Sequence, residues 1–316
     1  MSTTCDVTVI ICAYTLKRWD DLVAAVESLY RQTCEPDEII VVVDHNTELF
    51  ERLRQKYPEI MVIENSHARG LSGARNTGVE IARGAHIAFL DDDAEAESHW
   101  IELLLKGCAD PNVLGVGGTV RPSWQGPQPV WFPSEFYWVI GCTYQTLRQN
   151  PAIVRNPYGG CTCIKHEVFQ AIGGFREGIG RVGINFMGGE ETELSIRAAQ
   201  HWPEKFFLLE AKALIFHHIP VERTRLRYFL SRCYAEGLSK ALVSRYVGAK
   251  DGLSAERSYA AITLPLAMLK YAGQALKHGD PGGFLRAGAI VLGLTMTAIG
   301  YIKGRLRSQA ATHVKA

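Results

Sequence analysis

Charge imbalance is the first thing this sequence lacks. Its 34 Lys and Arg residues nearly balance 33 Asp and Glu, for a net charge of +1. Such a chain has no global field to gather nucleic acid or acidic lipid, so no nucleic-acid partner is expected and any partner is recognised locally. Paired cysteines are lacking too. The eight cysteines are scattered without the CxxC spacing of a zinc site or a thioredoxin-like motif, and they read as reduced, mostly buried thiols. Met1 to Asp6 carries no basic stretch followed by an apolar run, so no secretory leader is expected and the chain is placed on the cytoplasmic side. There is no internal repeat and no low-complexity linker. Finally, ICAYTLKRWDD, which closes the first strand-like segment, contains no glycine, in contrast to the glycine-rich phosphate loop of a sugar nucleotidyltransferase.

What is present is an alternation of strand-like and helix-like segments over the first 95 residues. VTVIICA (Val7 to Ala13) is a nearly continuous apolar, β-branched run, as a parallel strand buried on both faces requires. Helical spacing follows over Trp19 to Gln32, then a strand over Glu38 to Asn46 and a helix over Leu49 to Tyr57. Ile60 to Asn65, Gly73 to Arg83 and His86 to Asp93 continue the pattern as strand, helix and strand. The implied fold class is α/β, an open, mostly parallel sheet of the kind that binds nucleotides. From Gly115 to Pro157 prolines interrupt an aromatic-rich stretch, Trp124 to Trp138, which reads as loop and short strand; core packing and a flat wall for a bound ligand account for its rings equally well.

The chain divides into a nucleotide-scale α/β domain over residues 1–223 and a helical region over 224–316. The latter holds two apolar helices, Ile262 to Leu276 and Ala287 to Ile302, joined by a turn at Gly279 to Gly283 and ended by the basic KGRLR. The second run has sixteen uncharged residues, just under the ~17 to 25 that span a bilayer. A core helix and a membrane-associated one are both compatible with it; the hairpin and its basic end suit an interfacial or shallowly inserted pair on the cytoplasmic face.

Three consecutive carboxylates, Asp91, Asp92 and Asp93, end the fourth strand. In extended chain the first and third point to one face and the middle one to the other. Acids so close together call for a cation, and the hard divalent ions Mg²⁺ and Mn²⁺ are the natural candidates. A second acidic group, GGEETELSIR, opens a later helix.

VTVIICAYTLKRWDDLVAAVESLYRQT, EIIVVVDHN, RGLSGARNTGVEIARGAHIAFLDDDA, VFQAIGGFRE and GGEETELSIR stand in the order that identifies family 2 glycosyltransferases of GT-A fold, and the resemblance covers about Val7 to His218. It implies an inverting transferase that uses a nucleotide diphosphate sugar, with UDP the expected carrier, and it is similar to membrane-associated enzymes that extend lipid-linked glycans. By this resemblance Ala13, Tyr14 and Asp44 hold the base and Arg75 lies near the nucleotide, with Arg69 the residue to be mistaken for it. Asp91 and Asp93 match the metal-binding DxD carboxylates, Asp93 being the direct ligand, and Asp92 reaches the ribose. His217 or His218 supplies a further metal ligand or a diphosphate contact, and Arg232 lines the diphosphate. The family's Glu-Asp pair aligns with Glu190 and Glu191, placing the base that deprotonates the acceptor hydroxyl on Glu191, where a glutamate replaces the expected aspartate; Glu190 is the other candidate. Glu193 and Arg197 belong to the same helix's polar network, and Gly188 and Gly189 let the backbone approach a sugar. A nucleotide-sugar-binding protein without transfer activity is the non-enzymatic alternative.

Overall fold

A computed structural model of the chain describes residues 3–144, 150–182 and 187–313. By internal contacts it resolves into two compact units, Met1–Arg121 with Leu147–Asn185 and Glu190–His218, and Pro122–Thr146 with Phe186–Gly189 and Ile219–Ala316. The aromatic stretch expected within the first domain thus groups with the C-terminal helices, and residues 145–149 of its proline-broken continuation lie outside the described residues.

The first unit is built on β1 (Thr3–Ala13), β2 (Cys34–Val43), β3 (Met61–Glu64) and β4 (His86–Asp91), with α1 (Trp19–Leu29), α2 (Thr47–Lys56) and α3 (Leu71–Ile81) between them. β1 lies parallel to both β2 and β4, and β2 parallel to β3. Val7, Val9 and Ile11 of β1 and Ile40 to Val43 of β2 are fully buried, which is why these runs are apolar without alternation. Asn46 caps α2 by accepting from the Leu49 N–H at 3.1 Å, fixing where β2 ends and the helix begins.

Beyond β4 come β5 (Ala94–Ala96), α4 (Trp100–Cys108), β6 (Val113–Trp124), β7 (Ala152–Val154), β8 (Cys161–Lys165), α5 (His166–Ile172), α6 (Glu190–His201) and β9 (Phe206–Ile219). Among the described residues the sheet runs β3-β2-β1-β4-β8-β6-β9-β5, with β7 on β9. β8 is antiparallel to β4 and β6, and β5 antiparallel to β9. The chain steps outward from β1 to β2 and β3, and α3 then returns it across the sheet to β4 on the other side of β1, so the carboxyl ends of β1 and β4 flank a topological switch point. Ile10, Val42, Phe89, Phe169 and Phe175 fill the core that carries it.

Two expectations are corrected here. The fourth strand stops at Asp91 and turns through Asp92 and Asp93 before β5, so the alternation of faces argued for extended chain does not apply. Cys5 and Cys34, placed side by side where β1 and β2 begin with Cα atoms 5.9 Å apart, form a disulfide; the remaining six cysteines are thiols.

The second unit holds α7 (Leu226–Val247), the short α8 (Ala249–Gly252) and α9 (Ser254–Ser258), then α10 (Leu264–His278) and α11 (Pro281–His313). Trp131, Phe132 and Phe136 pack their rings against Phe229 of α7 at centroid distances of 5.2 to 5.4 Å. α7 and α11 run parallel and in close contact because glycines meet backbone: Gly237 faces Thr297 and Gly300 faces Tyr234, and a Cβ at either has no room. α11 extends well beyond the sixteen residues expected for it and is long and apolar enough over Pro281–Arg307 to cross a membrane, with only 22% of its most apolar window buried.

Candidate functional site

At the switch point the backbone sets the groups in place before any side chain is considered. Cys12 pairs with Asp91 across β1 and β4, and the Asp44 N–H donates to the Ala13 carbonyl at 2.7 Å, so the ends of β1, β2 and β4 form one edge. On it Ala13 is buried and Tyr14 exposes 40% of its surface. Asp44 is buried; it accepts from Asn65 Nδ2 at 2.7 Å and the Gly70 N–H at 3.0 Å, with His45 Nδ1 2.9 Å away.

The acidic turn divides its charges. Asp91, still on β4, faces Arg75, whose Nη2 lies 3.8 Å from its Oδ1. Asp92 and Asp93, past the bend, share Arg18: one guanidinium nitrogen lies 2.7 Å from Asp92 Oδ1 and 3.2 Å from Asp93 Oδ2. The other Asp93 oxygen lies 2.9 Å from His217 Nε2, a contact set by the sheet, because Ala94 pairs with His217 and the His218 N–H donates to the Asp93 carbonyl. His218 itself turns to Asp21 and Glu95. Burial pushes the Asp92 carboxyl up to about 6, with Arg18 pulling against it, since one guanidinium cannot offset three adjoining acids; Arg18, for its part, is held firmly charged.

Arg75 is the inner cation, and Arg69 is exposed. The Arg75 guanidinium sits between the Phe89 and Phe175 rings, 5.4 and 5.3 Å from their centroids, and donates to Glu190 Oε1 at 3.0 Å. Burial opposes its charge, but Glu190 and Asp91 outweigh that, so its pKa is raised. Glu190 and Glu191, adjacent at the start of α6, are therefore unequal: Glu190 is buried against Arg75, while Glu191 is only half-buried. Glu193 is fully buried between Arg176 and Arg197, and Arg197 also donates to the Ile172 and Gly174 carbonyls, which ties α6 to the end of α5. Gly188 donates to Ser239 and Arg232 lies in α7 near Glu236, both within the second unit.

The sequence reading missed two features. Arg18 was given no role, although it follows Tyr14 by four residues in the first block. Gly159 and Gly160, just before β8, line the site because nothing larger fits: a Cβ at Gly160 would fall within the Asp91 carboxylate, and one at Gly159 would crowd Arg75 and Glu191. A paired glycine entering a buried strand was the available signal.

A divalent ion suits this turn. Asp92 Oδ2 is buried without a hydrogen-bond partner, and Asp93 and His217 bring a carboxylate oxygen and an imidazole nitrogen together, donors that accept Mn²⁺ or Mg²⁺. Among the described residues no group of three or more His, Cys, Asp or Glu side chains makes a complete cage.

The sequence model of Glycosyl transferase family 2 matches residues 8–173. A glucosyl-dolichyl phosphate glucuronosyltransferase of Haloferax volcanii is 34% identical over 241 residues, 75% of this chain and 77% of that protein. An Escherichia coli UDP-Glc:alpha-D-GlcNAc-diphosphoundecaprenol beta-1,3-glucosyltransferase is 38% identical over 97 residues, 30% of this chain and 36% of the other. Among solved structures, the mannosyltransferase PcManGT of Pyrobaculum calidifontis with GDP-Man and Mn²⁺ superposes over 95% of this chain and 87% of its own, with TM-score 0.60 and 18% identity. GalNAc-T7 with UDP, GalNAc and Mn²⁺ superposes over 73% of this chain, which spans 48% of that protein, with TM-score 0.53 and 16% identity.

Proposed function

Because this chain belongs to glycosyl transferase family 2, and is a hexosyltransferase-type glycosyltransferase with the expected GT-A fold, we propose that it transfers a sugar with inversion from a UDP-sugar to a hydroxyl of a lipid-linked glycan. The observation that carries this reading is the convergence, at one sheet edge, of the Asp91 to Asp93 turn, His217 and the α6 acids.

In this reading the exposed Tyr14 ring and the Ala13 backbone receive the uracil, whose N–H groups suit the Asp44 carboxylate. Asp92 takes the ribose hydroxyls. Asp93, Asp91 and His217 hold Mn²⁺ or Mg²⁺, which when bound offsets charge on the departing diphosphate. Arg75 serves the nucleotide from behind by fixing Asp91 and Glu190. Glu191, half-buried at the start of α6, takes the acceptor proton as the hydroxyl attacks the anomeric carbon opposite the leaving group. Glu190 supports it by holding the start of α6 to Arg75.

The two relatives named for dolichyl and undecaprenol substrates support a lipid-linked acceptor, and the second unit supports a membrane surface as its meeting place. Its pattern is inverted for a water-soluble helix. In α11 small residues face inward (Gly282, Gly283, Ala289, Gly293, Gly300), while Leu285, Leu292, Ile299, Ile302 and Leu306 are exposed. α10 exposes Leu266, Leu269 and Leu276 beside Lys270 and Lys277. Because α7 packs along α11 through Tyr234, Gly237, Leu238 and Ala241, lipid meets the other side only, which favours a hairpin lying on the cytoplasmic leaflet.

The test is a calorimetric titration of UDP with and without Mn²⁺ into wild type and Asp93→Ala, followed by transfer assays. Metal-dependent binding lost in the variant is expected; tight binding indifferent to both would overturn the site.

A further inference from the structure

The acidic turn already contains a cation of its own, Arg18. It belongs neither to β4 nor to α6 but to the single helical turn Leu16–Arg18 that links β1 to α1. One nitrogen of its guanidinium spans Asp92 Oδ1 and Asp93 Oδ2. Asp93 is thus shared: one oxygen meets Arg18, the other His217. A divalent ion drawing on Asp93 Oδ2 would lie within a few ångströms of that positive charge, and like charges at such range in a buried setting do not coexist without movement. Arg18 can move. Its side chain is 22% exposed, and its ring neighbour among the described residues is the exposed Tyr14, with the guanidinium 5.6 Å from the centroid; the hydrogen bonds of the linking turn, Lys17 N–H to Thr15 Oγ1 at 3.3 Å, Arg18 N–H to the Thr15 carbonyl at 3.5 Å and Trp19 N–H to the Leu16 carbonyl, hold its backbone and leave the side chain to swing. Asp92 supplies the second half of the argument, because its Oδ2 is buried without a partner while Oδ1 is taken by Arg18, so the guanidinium satisfies the turn only in part.

We propose that Arg18 is a resident counter-cation that holds Asp92 and Asp93 before the ligands bind and competes with the divalent ion for Asp93. When ion and nucleotide arrive together, the displaced guanidinium passes to the negatively charged diphosphate, a partner it prefers to water. Ion alone binds weakly, since it must evict Arg18 without compensation; ion with nucleotide binds well. The inference rests on the transferase reading, because that reading supplies the ion and the diphosphate.

The test is calorimetric titration of Mn²⁺ alone, and of UDP at saturating Mn²⁺, into wild type, Arg18→Met and Arg18→Lys, with thermal melts of each protein with and without Mn²⁺. Arg31→Met, which removes an exposed partner of Glu95, is the control. The expected result is that Arg18→Met binds Mn²⁺ alone about tenfold more tightly and UDP in saturating Mn²⁺ several-fold more weakly, that its melting temperature rises more on adding Mn²⁺ than wild type's does, and that Arg18→Lys lies closer to wild type. The melts read the competition even if Arg18→Met is less stable without metal. Equal or weaker Mn²⁺ binding by Arg18→Met, with wild type still binding UDP through Mn²⁺, overturns the Arg18 inference alone. A wild type that binds no UDP through Mn²⁺ overturns the transferase site beneath it.

Discussion

Glu190 and Glu191 are neighbours in sequence and stand in different surroundings. Glu190 neutralises a buried arginine, and removing one partner of a buried pair costs about 3–5 kcal/mol. Glu190→Gln is accordingly expected to lower unfolding stability by about 3 kcal/mol in urea titrations. Glu191→Gln should cost less stability than Glu190→Gln and leave UDP affinity unchanged while cutting kcat by about 10²- to 10⁴-fold, the usual worth of a general base. The reverse pattern would move the base to Glu190. At Gly160 the limit is space. Gly160→Ala forces the Asp91 carboxylate aside, and Mn²⁺-dependent UDP affinity should fall by at least about tenfold, or 1.4 kcal/mol, while a far-ultraviolet spectrum stays that of wild type. Unchanged affinity would show that Asp91 serves the site from another position.

Between elements, His67 ties the β3–α3 connection to its surroundings, with Nε2 2.8 Å from Glu80 Oε1 on α3 and Nδ1 2.9 Å from Glu177 Oε1 after α5. Partial burial would lower its pKa, but the two carboxylates outweigh that and the pKa is raised. The folded state therefore holds the proton more tightly than the unfolded one. The resulting stabilisation is fully present below the ordinary histidine pKa of about 6.5 and is lost as pH rises through the raised value. For a partly exposed pair it amounts to less than about 1 kcal/mol. Melting temperatures of wild type and His67→Gln, compared from about pH 5.5 to pH 9, should differ most at the acid end and converge at the alkaline end. A constant difference would mean that packing, rather than charge, holds this connection.

At the scale of the molecule, the proposed membrane face consists of the exposed leucines of α10 and α11. Leu269 and Leu292 are 71% and 47% exposed, and each leucine removed from lipid forgoes about 1.5–3 kcal/mol. Leu269→Glu combined with Leu292→Glu should reduce the partition onto anionic vesicles in flotation assays by at least about 100-fold, without lowering the melting temperature in solution. Partition of wild type should also weaken with salt, since Lys270, Lys277 and the basic end of α11 contribute to it electrostatically. Vesicle binding unaffected by the two charges would assign those faces to protein contacts.

The sequence by itself determined the sheet and its order of elements, because apolar runs of strand length and amphipathic runs of helix length are local properties set by burial on one face or two. It also gathered the acids, since Asp91, Asp92, Asp93, Glu190 and Glu191 lie at recognisable element ends. It could not assign their partners. The bend after Asp91, which gives that residue to Arg75 and the next two to Arg18, depends on β5 pairing with β9 more than a hundred residues away. The inequality of the two glutamates depends on an arginine held between Phe89 and Phe175, and the Cys5–Cys34 disulfide on the register of two strands. Hydropathy marked α10 and α11 as apolar, but only packing decided which residues face outward, because glycine contacts with α7 turn the small side inward and leave the leucines exposed. Local pattern fixes what a segment is; which charge meets which is a property of contacts distant in sequence, and those exist only once the chain has folded.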